Sequence, residues 1–294
     1  MIVVTAPTSQ IGRRLVGRLL ADDASVRVVA RDPARLPTDV RERVDVVTGS
    51  HADLDVVTRA FDGADAVFWL VPPNPAATDV QAAYLDFSRP AVKAFEQQEV
   101  GRVVGVSALG RGTAVADHAG QVTATLALDD LIASSGVGYR ALTMPSFMDN
   151  IARQAELIKN QGFFTSPFPA DRALPMCATQ DIAAVAARLL QDASWSGVSE
   201  VPVLGPEDLS FGDLARIMSE VLDRPIRYQQ IPGTAFKDRL LQFGATEVMA
   251  QATLDMYLAK EAGLDDGVVR TPQNSTPTTF RQWCEETLRP AVVG

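Results

Sequence analysis

The feature that most constrains this chain is an alternation, sustained over about 150 residues, of short β-branched runs with amphipathic stretches. The runs are Ile2–Thr5, Val26–Arg31, Asp45–Gly49, Ala66–Val71, Arg102–Ser107 and Tyr139–Thr143. Each is largely apolar and bounded by polar, Gly or Pro residues, the pattern of a strand buried on both faces of a parallel sheet. Between the first two, Ile11, Leu15, Val16, Leu19 and Leu20 share one helical face, while Arg13, Arg14 and Arg18 lie elsewhere. Leu54–Phe61, Val80–Gln98 and Gln121–Ser134 read as helices in the same way. Strand–helix alternation implies right-handed βαβ units, hence an α/β fold with a Rossmann-type, doubly wound parallel sheet.

The rhythm changes after Asn150. A helix is expected over Ile151–Asn160, a loop over Gly162–Pro167 and a helix over Asp181–Leu190. Short strands are expected at Val201–Leu204 and Ile226–Ile231. Ser210 is placed to cap a helix running through Val221, and further helices fall at Ala235–Leu241, Glu247–Ala262 and Phe280–Leu288. Residues 1–150 thus form a nucleotide-type sheet domain. Residues 151–294 form a smaller α+β lobe over the ligand, with segments packing back on the sheet.

Bulk properties narrow the function classes. With 36 acidic and 27 basic residues the net charge is −9 and no basic run stands out, which argues against direct nucleic-acid binding. Cys177 and Cys284 are far apart and outside any CxxC spacing, so neither a disulfide framework nor a zinc site is expected. No apolar stretch is long enough to cross a membrane and no basic leader opens the chain, so the expected location is cytoplasmic. The expected partner is a small molecule, with a homodimer or a protein partner left open.

In a dinucleotide fold the phosphate loop directly follows the first strand, where backbone N–H groups and a helix dipole meet the pyrophosphate. Here that segment runs Thr5, Ala6, Pro7, Thr8, Ser9, Gln10, Ile11, Gly12. Gly12 suits helix–strand packing; the two earlier glycine places hold the small residues Ala6 and Ser9. Arg31 ends the second run, where an acid would select a free ribose and an arginine favours a 2′-phosphate. NADP(H) is therefore expected over NAD(H). Ser50, Val71 and Ser107, at later strand ends, complete the expected cofactor contacts.

These residues resemble the NmrA-like branch of the extended, atypical short-chain dehydrogenases. The resemblance lies in the opening Val3–Gly12, in Thr48-Gly49-Ser50, in Val106-Ser107-Ala108-Leu109-Gly110 and in Phe147-Met148-Asp149-Asn150. It extends to Asp181-Ile182-Ala183 and Leu204-Gly205-Pro206-Glu207, and so covers nearly the whole chain. Ser50 departs from the acid that usually stands there. The resemblance implies NAD(P)(H) held between a Rossmann domain and a small lobe. The family includes quinone and dye reductases as well as regulators that sense the cofactor without catalysis.

Short-chain dehydrogenases pair a tyrosine with a lysine four residues on, beside a serine. Ser107 has the serine's place, but His118 and Val122 stand where the pair is sought. The lysine kept by the reductases of plant phenolics matches Thr125. A quinone-like acceptor needs less acid help than a ketone, so the expected chemistry is hydride transfer to a conjugated small molecule, with His118 or water giving the proton. Trp69, Pro72, Phe147, Met148, Asn150, Phe163 and Phe164 are the expected substrate lining. Two alternatives stay open: a non-catalytic NADP(H) sensor, and a reuse of the fold for another small ligand without dinucleotide.

Overall fold

All six apolar runs of the first half become neighbouring strands of one parallel sheet in the computed structural model, which describes residues 1–293. The strands are β1 (Ile2–Thr5), β2 (Val26–Ala30), β3 (Asp45–Thr48), β4 (Ala66–Trp69), β5 (Arg102–Ala108) and β6 (Gly138–Met144). Six more follow: β7 (Ser146–Phe147), β8 (Phe163–Ser166), β9 (Leu174–Cys177), β10 (Val198–Pro202), β11 (Asp208–Leu209) and β12 (Arg227–Gln230). The helices of the first half are α1 (Gln10–Ala21), α2 (Thr38–Arg41), α3 (Leu54–Phe61), α4 (Phe87–Gln97) and α5 (Gln121–Ala133). Those of the second are α6 (Asp149–Ala152), α7 (Ala155–Gln161), α8 (Thr179–Gln191), α9 (Phe211–Leu222), α10 (Gly233–Gln242), α11 (Glu247–Glu261), α12 (Phe280–Trp283) and α13 (Arg289–Val293).

The seven-stranded sheet has the order β10-β6-β5-β4-β1-β2-β3, so the chain reverses direction across it between β1 and β4. That reversal opens a crevice at the C-terminal ends of the strands, where ligands of this fold class bind. One sheet face is covered by α1 and α8 through Leu15, Leu19, Ile182 and Ala186, the other by α3, α4 and α5 through Val57, Phe61, Phe95 and Ile132. The seventh strand is supplied from beyond residue 150. β10 aligns parallel with β6, Val198 opposite Tyr139 through Pro202 opposite Thr143, and begins three residues before the expected Val201. A separate apolar core, including Ile158, Phe164, Leu214, Met218, Phe280 and Trp283, holds the second half together.

Three local expectations change. The segment expected as a loop is strand β8, because β12 pairs with it in parallel from Phe163 opposite Arg227 to Ser166 opposite Gln230. The helix expected over Ile151–Asn160 is broken into α6 and α7. Gln154 sits at the break, its side-chain amide accepting from Thr165 N at 3.0 Å and donating to Thr165 O at 2.9 Å. Before α4 the chain makes a π turn over Ala82–Asp86. Pro90 has no N–H to return to Asp86, and the wider turn accommodates the missing bond.

Candidate functional site

The turn from β1 into α1 keeps the shape of a phosphate loop. Ala6 adopts φ +49°, the left-handed conformation for which glycine is the usual choice, so the first replaced glycine retains its backbone geometry. Ser9 caps α1: its Oγ accepts from Gly12 N at 2.9 Å, leaving its own proton to donate outward. A Cβ on Gly12 would overlap the Ala6 carbonyl oxygen, so glycine alone lets helix and strand approach here. The N–H groups of Gln10 and Ile11 find no acceptor among the described residues and point from a helix N-terminus, a donor set that fits a pyrophosphate. Pro7 is buried and Thr8 exposed at the tip of the turn. Thr5 is a core residue instead of a ligand contact. Its hydroxyl donates to Phe68 O and accepts from Leu70 N, tying β1 to β4.

The left-handed Ala6 gives a small, checkable effect. Glycine there removes about 1 kcal/mol of backbone strain, partly offset by its greater freedom in the unfolded chain. Thermal melts of A6G should match or exceed wild type; a loss above about 1 kcal/mol would mean the methyl is needed for packing.

Along the same sheet edge, Arg31 follows β2, Ser50 follows β3 and Val71 follows β4. Arg31 is exposed and has no hydrogen-bond or ion-pair partner among the described residues. Ser50 is half-buried and accepts from Ala52 N at 3.3 Å. Nearby His51 is structural: its Nε2 lies 3.0 Å from Leu70 O and its ring meets Trp69 and Phe87 edge-on. Burial lowers its pKa to about 4, so it is neutral at physiological pH.

On the other side of the crevice, beyond β4, lies a cleft of about 230 Å³. Its floor comes from the ends of β4, β5 and β7, with Val71, Ser107 and Phe147, and Asn150 of α6 stands beside them. Helices α5 and α11 wall it with Gln121, Val122, Thr125, Leu128, Met256 and Lys260, and Tyr84 and Arg153 complete the rim. Ser107 faces this cleft but its proton is spoken for. Its Oγ donates to Asp129 at 2.5 Å, and the Tyr139 hydroxyl donates to the same carboxylate at 2.6 Å. Gly105 makes room for this network, since a Cβ there would strike the Tyr139 ring. Burial raises Asp129 to about 6, against the lowering effect of the Ser107 and Tyr139 hydrogen bonds and of Arg111. With its proton on Asp129, Ser107 presents lone pairs to a ligand and acts as an acceptor.

Tyr84 hangs from the π turn and donates to Gln121 Oε1 at 3.1 Å, and Gln121 in turn donates to Thr253. Burial raises the Tyr84 phenol above its usual value, so it stays protonated. Lys260 is 4% exposed and donates to both Asp265 oxygens, at 2.8 and 2.6 Å.

Of the residues expected to line the substrate, Phe147 and Asn150 reach the cleft. Trp69 does not: it is 1% exposed, packs against Phe95 and donates through Nε1 to Ser88. Met148 and Phe164 belong to the core of the second half, Phe164 stacking on Phe211. Phe163 is half-buried in β8, and Pro72 half-buried just past the cleft floor; neither lines the cleft. His118 is exposed in an open surface depression with Asp117, Lys237, Glu247 and Asp255, apart from Ser107. Sequence reasoning left Tyr84, Gln121, Arg153, Met256 and Lys260 unassigned. One signal was readable: Met256 and Lys260 stand four apart on one face of a helix, putting a lysine on an otherwise apolar stripe.

Comparisons with known proteins agree with this geometry. A model described as NAD(P)H-binding matches residues 7–193, and a model of the NmrA-like family matches residues 129–283. The chain is 29% identical to the (4-alkanoyl-5-oxo-2,5-dihydrofuran-3-yl)methyl phosphate reductase of Streptomyces griseus subsp. griseus, over 97% of both chains. It is 26% identical to the NAD(P)H azoreductase of Xenophilus azovorans, covering 97% of this chain and 96% of that one. In fold it is similar to the Citrobacter sp. triphenylmethane reductase solved with NADP(H), with a TM-score of 0.79, 17% identity and 99% of each chain covered. The two matches together span residues 7–283, and the chain belongs to the NmrA-like family of NAD(P)H-binding proteins.

Proposed function

We propose that the chain is an oxidoreductase that passes a hydride from NADPH to a conjugated small-molecule acceptor bound in the cleft beside Ser107. The observation that carries this reading is the cleft itself. It adjoins the crevice of a nucleotide-binding sheet, its walls are largely apolar, and the serine at its floor has its proton committed to Asp129. A ketone needs strong proton delivery as the hydride arrives, whereas a quinone, azo or enone system delocalises the incoming charge. Bound NADPH would supply the hydride to the acceptor, and the resulting anion would take a proton from water or from Tyr84 once its hydroxyl turns away from Gln121. Two relatives matched over nearly their whole length favour this choice, one named as the reductase of an alkanoyl-oxo-dihydrofuran methyl phosphate and the other as an azoreductase.

NADPH would lie with its pyrophosphate on the N–H groups of Gln10 and Ile11 and its 2′-phosphate against Arg31. R31A should weaken NADPH binding about 10- to 100-fold, the worth of a charge-assisted contact, and leave NADH nearly unchanged. Equal losses for both cofactors would remove the 2′-phosphate from this arginine. The activity is tested by following NADPH consumption across quinones, azo dyes and enones. Cofactor binding without turnover of any acceptor would replace this reading with a sensing role.

A further inference from the structure

The cleft carries charge of one sign. Arg153 and Lys260 line it and no aspartate or glutamate does, although the chain as a whole is net −9. Lys260 has two of its three protons on Asp265, which itself does not line the cleft. Arg153 follows α6 at the cleft mouth, is exposed, and has no hydrogen-bond or ion-pair partner among the described residues. The neighbouring acid cannot serve it, because Asp149 accepts from both the backbone N and the hydroxyl of Thr179. A planar, unpaired guanidinium beside apolar walls and a buried ammonium is suited to a bidentate oxyanion.

The cofactor's phosphates do not account for these cations. Their donors and Arg31 stand at the ends of β1 and β2, whereas Arg153 and Lys260 stand across the switch point, beyond β5 and β6. We propose that the acceptor bound in this cleft carries a carboxylate or phosphate, which Arg153 holds at the mouth while Val122, Leu128, Phe147 and Met256 take its conjugated frame. This deepens the reductase reading above and rests on it for the word acceptor, but binding alone tests it.

The probes are methyl red, an azo dye with one carboxylate, and its neutral methyl ester, titrated at pH 7.5 into the full chain with NADP⁺ present and followed by absorbance. Wild type should bind the acid at least about 10-fold more tightly than the ester. R153Q should bring that ratio close to one, and R153K should restore part of it. Equal affinity for dye and ester in wild type overturns the proposal. So does an R153Q variant that weakens NADP⁺ binding while keeping the dye-to-ester ratio, since the arginine then serves the cofactor. The ratio is read without turnover, so a protein that oxidises no NADPH still decides it. Conversely, efficient reduction of the ester with no preference for the acid upholds the reductase reading while overturning this anchor.

Discussion

Replacing Asp129 with alanine is expected to lower the unfolding free energy at pH 5 by about 4 kcal/mol, the largest single effect foreseen here. The substitution strands two buried donors, the Tyr139 and Ser107 hydroxyls, each costing about 1–3 kcal/mol when unpaired, and adds a small cavity. For a chain of this size that corresponds to a fall in Tm of about 6–8 °C. D129N keeps the shape and one good acceptor, so it should cost less. It also isolates a pH effect. Burial raises Asp129 from 3.8 to about 6, so between those values the folded chain holds a proton that the unfolded chain has released. Stability from this group is therefore fully present below pH 4 and is lost as pH rises through about 6, by up to about 3 kcal/mol. Denaturant titrations of wild type and D129N at pH 4.5 and pH 7.5 measure it directly. The advantage of wild type over D129N should shrink or reverse at the higher pH, and a constant gap would show that the carboxyl titrates normally.

G12A should weaken NADPH binding by about 100-fold, equivalent to losing two charge-assisted backbone hydrogen bonds. The added methyl meets the Ala6 carbonyl and Ser9 Oγ, the latter at 2.9 Å. Neither is the free end of a flexible side chain: Ala6 is already left-handed, and Ser9 is fixed by its cap on α1. Backbone must therefore shift, and it carries the N–H groups of Gln10 and Ile11 out of register with the phosphates. Overpacking of this kind also costs about 1–3 kcal/mol of stability, so near-ultraviolet dichroism must first show that the variant is folded. Calorimetric titration then reads the affinity. A folded G12A that binds NADPH as wild type does would place the pyrophosphate away from this loop.

Much of the fold was legible because its signals are local. Apolar runs of four to six residues marked β1 to β6, and the spacing of Leu15, Leu19 and their neighbours marked α1, since a residue's face in a helix or strand follows from sequence position alone. Ser210 announced α9, and it does form the reciprocal cap with Asp213. The turn from β1 into α1 was recognisable by its place even with glycines replaced, although only the backbone shows that Ala6 keeps the glycine conformation.

Tertiary structure decided what depends on partners distant in sequence. β8 is a strand because β12 supplies its hydrogen bonds, and β10 joins the sheet because the edge of β6 is free to receive it. Hydrophobicity told that Trp69, Phe147 and Phe164 avoid water, but a packed core and a ligand cleft reward burial alike. Only the packing of α4, α5 and α9 sends Trp69 and Phe164 inward and leaves Phe147 at the cleft. Charge behaves the same way. Neither Arg153 nor Lys260 could be assigned to a cleft from sequence, because its walls join α5 and α11, helices more than a hundred residues apart that meet only in the folded chain.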